Sequence, residues 1–324
     1  MINREKKILE ITNAFNVPIL FIIFNRIDTT RQVFEVIRKV SPRKLYIASD
    51  GPRETREGEK DKVESVRDYV LQSIDWECEV KTLFRDDNLG CGKAVSSAIT
   101  WFFENEESGI ILEDDCLPSL SFFPYCQELL EKYKDNESIY HIAGHNPLTE
   151  TRTRYSYYFA RIHHCWGWAS WRRAWEKYSF DITGLDEFIA QKKMNKIFSG
   201  NIEENYWIDI FKRMEGHGID TWDYQWTYAI FKNNGICINP AKNLVTNIGF
   251  GIDATHTIST DYSLNNQQRY EISYINHPRK IKISSRLLRK IHKIVFGLYG
   301  SSKLRSMIKR SLRLLKKNVM ISSE

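Results

Sequence analysis

The run Ile110-Ile111-Leu112-Glu113-Asp114-Asp115-Cys116 constrains this chain more than any other stretch, because an apolar segment ends abruptly in three consecutive carboxylates. A short continuous apolar run marks a strand buried on both faces, and three adjacent acids cannot follow it into a core. The acids therefore mark a rim. In an open α/β sheet, the rim beyond the carboxyl ends of the strands is where ligands bind. Carboxylates this close repel one another unless a cation neutralises them, and hard oxygen ligands suit Mg²⁺ or Mn²⁺. The competing reading is a solvated acidic turn, so the surrounding sequence has to decide.

The surroundings repeat one unit. Residues 17–24 form another buried-strand pattern, which leads through Asn25-Arg26 into helical spacing at Val33, Phe34, Val36, Ile37 and Val40. Residues 45–48 run into Ser49-Asp50-Gly51-Pro52, and helical spacing follows at Val63, Val66, Val70 and Leu71. Residues 79–84 read as a third strand, Leu89-Gly90-Cys91-Gly92 as a turn and 93–103 as a helix before the acid-tipped strand. Repeated strand-helix units imply a parallel sheet covered by helices on both faces. Farther on, residues 122–133 read as a helix and 140–143 as a strand. From 155 to 250 the chain turns aromatic and irregular and holds most of the nine tryptophans, so a second ligand is expected there. No repeat, low-complexity stretch or Pro/Gly linker interrupts residues 1–278, which read as one compact unit.

Six scattered cysteines without a C-x-x-C pair read as reduced cytosolic thiols. The charged, polar start lacks the apolar core of a signal peptide, and no run of about twenty apolar residues is present to span a bilayer. A cytoplasmic location is expected. The net charge of +6 is unevenly placed: residues 279–324 hold 14 Lys or Arg and one acid, leaving 33 basic and 40 acidic residues before them. In that tail Leu287, Leu288, Ile291, Ile294, Val295 and Leu298 share one helical face opposite Lys and Arg. Gly300-Ser301-Ser302 separates it from a similar segment bearing Leu304, Met307, Ile308, Leu312 and Leu315. Basic amphipathic helices lie in membrane interfaces, so the expected partner is an anionic membrane, with the protein held peripherally at the inner face of the plasma membrane. A tail helix docked on the acidic core is the alternative. Nucleic acid is not expected, because the tail's aliphatic face offers bases no stacking platform.

Several motifs occur in a telling order: Asn25-Arg26, Ser49-Asp50-Gly51, Asn88-Leu89-Gly90 with Lys93-Ala94, Glu113-Asp114-Asp115 before Phe122-Phe123, Trp166-Gly167-Trp168, and Trp222-Asp223. In that order they resemble the metal-dependent nucleotide-sugar glycosyltransferases of the GT-A fold, and most of all the N-acetylglucosaminyltransferase I family and its bacterial relatives. The likeness covers roughly residues 15–258 and excludes the basic tail. It implies a GT-A, Rossmann-like mixed sheet flanked by helices over 1–278, followed by the amphipathic helical tail 279–324. The nucleotide-sugar half would span about 15–120 and the acceptor half about 121–260.

By this resemblance the acidic triplet is a variant of the D-x-D motif. Asp115 then binds the Mn²⁺ (or Mg²⁺) carried by the donor's diphosphate, while Glu113 and Asp114 contact sugar, ribose or metal-bound water. A metal bridging two phosphates stabilises the departing nucleoside diphosphate. Asp50 matches the acid that holds base or ribose, although Ser-Asp-Gly-Pro is also a good turn. Asn25 and Arg26 end the first strand at the same rim, where Arg26 suits phosphate or base. Asn88, Gly90 and Lys93 lead into a helix N-terminus, whose free N–H groups favour anions.

An attacking acceptor hydroxyl needs a carboxylate base. Asp223 resembles the family's tryptophan-flanked acid; the family motif commonly has two adjacent acids, whereas Tyr224 and Gln225 follow here. Asp220 and Asp209 are runners-up, and Asp223 as a helix cap is the structural alternative. His256 matches a histidine that completes the metal or phosphate site, assisted by Asp253 in a segment made pliable by Gly249 and Gly251. Trp166, Trp168 and Trp222 are expected at the acceptor cleft, although Trp168, Trp171 and Trp175 also fall at the helical spacing of a core. His163-His164-Cys165 is not expected to be a zinc site, since adjacent ligands rarely reach one ion.

The expected activity is transfer of a sugar from a nucleotide diphosphate sugar to a glycan or lipid-linked glycan acceptor, with inversion. Two alternatives stand: a sugar nucleotidyltransferase, which usually carries a glycine-rich N-terminal loop that is missing after Phe24, or a non-catalytic membrane-recruited module that binds nucleotide or glycan.

Overall fold

The computed structural model describes residues 15–198, 200–216, 218–249 and 267–299. Strands β1 (Ile19–Ile23), β2 (Lys44–Ser49), β3 (Glu79–Phe84) and β4 (Ser108–Glu113) alternate with helices α1 (Ile27–Val40), α2 (Glu59–Gln72) and α3 (Gly90–Asn105). β1, β2, β3 and β4 pair in parallel in the order 3-2-1-4. Parallel strands have no solvated face, and successive side chains here feed two separate cores. Ile19, Phe21, Leu45, Ile47, Ile110 and Leu112 enter one, against α1 and α4 (Phe122–Lys132). Leu20, Tyr46, Ala48 and Ile111 enter the other, against α3. That two-sided burial is why the strands read as unbroken apolar runs. α1 shows the matching helical period, burying Val33, Phe34, Ile37 and Val40.

Beyond β4 a short strand β5 (Cys116–Pro118) and α4 lead to β6 (Ile139–Ala143), β7 (Tyr157–Ala160) and β8 (Trp168–Trp171). Helices α5 (Arg172–Trp175), α6 (Leu185–Ala190), α7 (Asn201–Glu215) and α8 (Asp223–Lys232) follow, then β9 (Ile236–Pro240) and β10 (Val245–Asn247). The full sheet has eight strands in the order β3-β2-β1-β4-β8-β6-β9-β7. β8 runs antiparallel to β4 and to β6, and β7 antiparallel to β9, so the sheet is mixed. β10 pairs antiparallel with β5 as a separate ribbon. Residues 155–250, expected to be irregular, thus supply three of the eight strands of the sheet and most of the second core.

Tryptophans 168, 171 and 175 do not share a helix. Trp168 and Trp171 lie on β8 and Trp175 ends the short α5. Trp168 is fully buried, stacked on His141 (centroids 4.9 Å apart) and Trp222 (5.6 Å). It belongs to the core, which corrects its expected place in the acceptor cleft.

A last helix, α9 (Ser285–Val295), begins at Ser284, whose hydroxyl caps the Leu287 N–H. Leu288, Ile291 and His292 are buried. Ile291 packs with Tyr158 and Ala160 of the edge strand β7, and Leu288 joins the second core. The Trp207 indole N–H donates to His292 Nε2 at 2.9 Å. The expected boundary at 278/279 therefore falls within one packed body, and the apolar face of this helix points at the protein. The second tail segment, 304–315, lies outside the described residues. Among the described residues no helix is long and apolar enough to cross a membrane.

Candidate active site

The strand order places the site. The chain runs outward from β1 through β2 to β3 and then returns to β4 on the other side of β1, so ligands are expected at the β1/β4 switch point. A cleft of about 410 Å³ opens there. One side is lined by Phe24 and Arg26 after β1, Asp50 and Arg53 after β2, Arg85 after β3, and Glu113, Asp114 and Asp115 at the end of β4. Because β8 opposes β4, with Trp168 across from Ile111, the residues before β8, Cys165 and Trp166, reach the same rim. Thr221, Trp222 and Asp223 at the start of α8, with Asn247 and Gly249 at the end of β10, close the far wall.

Arg26 binds two members of the triplet, Asp114 at 2.5 Å and Asp115 at 2.9 Å. The Phe24 N–H also reaches Asp114, at 3.3 Å. One guanidinium does not offset three acids. Burial, reinforced by Asp115 and Asp114, pushes the Glu113 carboxyl up to about 8. Burial likewise raises Asp114 to about 6, against the pull of Arg26. A site so short of positive charge fits a hard divalent ion. Among the described residues no group of three or more His, Cys, Asp or Glu converges on one point. The carboxylates of Glu113, Asp114 and Asp115 are oxygen donors of the kind a hard divalent ion takes one or two at a time. His256 lies outside the described residues.

Gly249 presses on this pair. A Cβ there would stand 2.2 Å from Asp115 Oδ2 and 2.5 Å from Arg26 Nη1, a space only glycine leaves free. The Ile248 N–H donates to the Asp115 carbonyl at 2.8 Å, tying the β10 exit to the acid.

The glycine-rich turn before α3 is built for anions, but the anions are the protein's own. Asp50 accepts from the Leu89 and Gly90 N–H groups at 3.0 and 3.2 Å, and Asp220 accepts from Cys91 and Gly92 at 2.9 and 2.7 Å. These are the orphan donors of a helix N-terminus. Added Cβ atoms at Gly90 and Gly92 would meet the Asp220 carboxylate at 2.7 and 2.9 Å. The expected phosphate site at this terminus is corrected accordingly. Asn88 donates to the Gly51 carbonyl at 2.7 Å and still lines the cleft. Lys93 is exposed and does not line it. Asn25 is also outside the lining, its amide tied to Glu59 at 2.8 Å.

On the opposite wall Asp223 Oδ1 accepts from Thr221 Oγ1 at 2.6 Å and from the Tyr224 N–H at 3.0 Å. Among the described residues its Oδ2 accepts no hydrogen bond. Behind it His163 Nε2 lies 3.0 Å from the Asp223 carbonyl and 2.9 Å from Thr227 Oγ1, and burial holds its imidazole below the usual value. Trp166 lines the cleft with its ring against His145 (4.3 Å), and Trp222 lines it while only 3% exposed. Asp209 is exposed and paired with Arg213 on α7, away from the cleft. Arg53 and Arg85 went unnoticed in the sequence; the signal was their position just past strand exits, where this architecture collects ligand contacts.

These features define a Rossmann-like α/β fold with an acidic cleft at its switch point. No protein-family model and no curated sequence matches the chain. Among solved structures it is similar to HddC from Yersinia pseudotuberculosis, at 11% identity and TM-score 0.32 over 52% of this chain and 85% of that one. A cytidylyltransferase from Leptospira borgpetersenii matches at 15% identity and TM-score 0.31, over 53% of this chain and 64% of that one. The glycosyltransferase GlyE from Streptococcus pneumoniae matches at 12% identity and TM-score 0.33; 68% of this chain spans 45% of its length.

Proposed function

We propose that this protein is a metal-assisted glycosyltransferase of the GT-A type, moving a sugar from a nucleoside diphosphate sugar to a hydroxyl of a glycan or lipid-linked glycan. The observation that carries this reading is the pairing of two unlike acids in one cleft: Asp115, clamped by Arg26 on one wall, and Asp223, whose Oδ2 accepts no hydrogen bond among the described residues, on the other. The family placement rests on motif order alone.

In this reading Arg53 and Arg85 face the diphosphate while Arg26 holds Asp114 and Asp115 in place, and Asp50 and Asn88 lie beside the nucleoside. Asp115 would hold Mn²⁺ or Mg²⁺ with Glu113 and Asp114 adjacent, and His256 is proposed as a further ligand. The ion supplies Lewis-acid stabilisation of the departing nucleoside diphosphate. Trp166 and Trp222 orient the acceptor sugar. Asp223 Oδ2 takes the acceptor proton as its oxygen attacks the anomeric carbon; the bond to the diphosphate breaks on the opposite side of that carbon, which inverts it. Thr221 and the Tyr224 N–H hold the carboxylate in place for this step.

A nucleotidyltransferase must cradle a triphosphate. Here the turn after β1 is Phe24-Asn25-Arg26, without glycine, and its Phe24 N–H and its guanidinium are both committed to Asp114. The test is thermal stabilisation by UDP-, GDP-, CMP- and dTDP-sugars with and without Mn²⁺, on wild type and Asp115→Ala, with released products identified. A Mn²⁺-dependent shift for one nucleotide class, lost in the variant, with slow release of nucleoside diphosphate to water, supports the proposal. No shift with any sugar nucleotide overturns it. Pyrophosphate formed from nucleoside triphosphate and sugar phosphate replaces it with the nucleotidyltransferase reading.

A further inference from the structure

Residues 279–299 contain seven Lys or Arg and no Asp or Glu. At 3.6 residues per turn, α9 divides them cleanly. Leu287, Leu288, Ile291, His292 and Val295 occupy the side turned to the protein. Arg286, Arg289, Lys290 and Lys293 form a stripe roughly 100° wide on the other side, and all four are exposed. Arg279, Lys280 and Lys282 extend the charge along the approach to the helix, with Lys280 also exposed. Among the described residues no ion pair joins any of the seven to a carboxylate. Ile294 (44% exposed) and Ile281 (41% exposed) border the cations. Residues 300–324 add seven more Lys or Arg against one Glu.

We propose that this outward face docks the protein on an anionic lipid bilayer, with α9 lying flat and its apolar side retained against β7 and α7. The arrangement reverses the insertion expected from the sequence. Burying the apolar side in lipid would require pulling Leu288 and Ile291 from the core and breaking the Trp207–His292 hydrogen bond, whereas the cationic side already faces outward. Juxtamembrane cations are attracted by anionic headgroups, and the aliphatic borders suit the headgroup boundary. One aromatic ring, Tyr299, lies against the stripe under Arg289 at 5.6 Å, and a single ring is no platform for successive bases, which disfavours nucleic acid. The proposal does not depend on the transferase reading.

The test is co-sedimentation of the full chain with phosphatidylcholine vesicles, with and without about 30% phosphatidylglycerol. Wild type is compared with the quadruple variant Arg286→Gln, Arg289→Gln, Lys290→Gln, Lys293→Gln. Binding is expected only to the anionic vesicles, falling at least tenfold from about 0.1 M to about 0.5 M salt and at least tenfold in the quadruple variant, whose melting temperature stays at the wild-type value. A second variant, Ile291→Ser, lowers the melting temperature but leaves vesicle binding unchanged at temperatures where it is folded. Equal binding by the quadruple variant, loss of binding in folded Ile291→Ser, or salt-sensitive binding to duplex nucleic acid with none to vesicles would each overturn the proposal.

Discussion

The four parallel strands and the strands beyond β4 solve the problem of a buried sheet in different ways. β1, β2 and β4 are apolar almost throughout, and their alternating side chains fill two cores with little but hydrocarbon. The other half buries polar groups inside its strands: His141 on β6, Ser170 on β8 and Asn239 on β9 are all fully buried. It satisfies most of them with directed bonds, such as Trp226 Nε1 to His141 at 3.3 Å and Ser170 to the Tyr140 carbonyl at 2.6 Å. All eight histidines of the chain lie at or after position 141. One half is held mainly by non-directional burial, the other by a tryptophan and histidine network whose geometry must be right. The half that needs geometry is the one that positions Asp223.

The sharpest way to separate the halves is to disable each acid. Asp115→Ala and Asp223→Asn are each expected to lower transfer by about 10²–10⁴-fold. Stabilisation by donor and Mn²⁺ should vanish in the first and survive in the second. Loss of donor stabilisation in Asp223→Asn would break the division of labour. Next comes packing: Trp168→Ala removes a ring that touches His141, Trp175, Trp222 and Trp226. It should cost about 3–5 kcal/mol in denaturant melts, against about 2–5 kcal/mol for Ile47→Ala in the parallel half. Only the tryptophan variant should also weaken transfer in protein that remains folded.

Acid should likewise tell the halves apart. Burial holds His141, His163 and His164 below the usual imidazole range and His145 down to about 4. Their unfolded forms bind protons first, so stability is lost as pH falls from about 6.5 toward those depressed values. The loss is about 1.4 kcal/mol for each pH unit by which a folded imidazole lies below its unfolded value. In the parallel half Glu59, beside Arg53, lies below the usual carboxylate range. Its contribution is present above about pH 4.5 and is lost only on further acidification. Amide hydrogen exchange, corrected for its intrinsic pH dependence, should show β6, β8 and β9 losing protection before β1 and β2 between about pH 6.5 and about pH 4.5. Simultaneous loss would show that the halves unfold as one unit. The smallest expected effect is Asp220→Asn, which weakens the cap on α3: about 1–3 kcal/mol, with donor stabilisation reduced but present.

The parallel half was legible because two-sided burial writes itself as an apolar run, and the run ending at Glu113 located the rim. The far half was not, because strands that bury His141, Ser170 and Asn239 lack that signature. Gly90 and Gly92 misled for a physical reason: a carboxylate and a phosphate ask the same clearance of a backbone, so the sequence shows the vacancy and not its occupant. In α9 the pattern left two readings open, because amphipathicity says which residues avoid water, not whether protein or lipid shelters them. Asp223 could be chosen from its tryptophan neighbour, but the open Oδ2 that recommends it depends on Thr221 and the Tyr224 N–H.

Asp220 belongs to the segment between α7 and α8, yet its carboxylate is bonded to the first amides of α3 across the molecule. That bond is a cross-brace between the α3 wall and the α8 wall of the cleft. Walls braced in this way do not part like jaws, so under the proposed transferase function the gap they leave is a fixed gauge for the sugar. On that proposal, changing the accepted sugar calls for recutting the gauge at Cys91, Cys165 or Trp166, which line the cleft, since slackening the brace would widen the slot for every candidate alike.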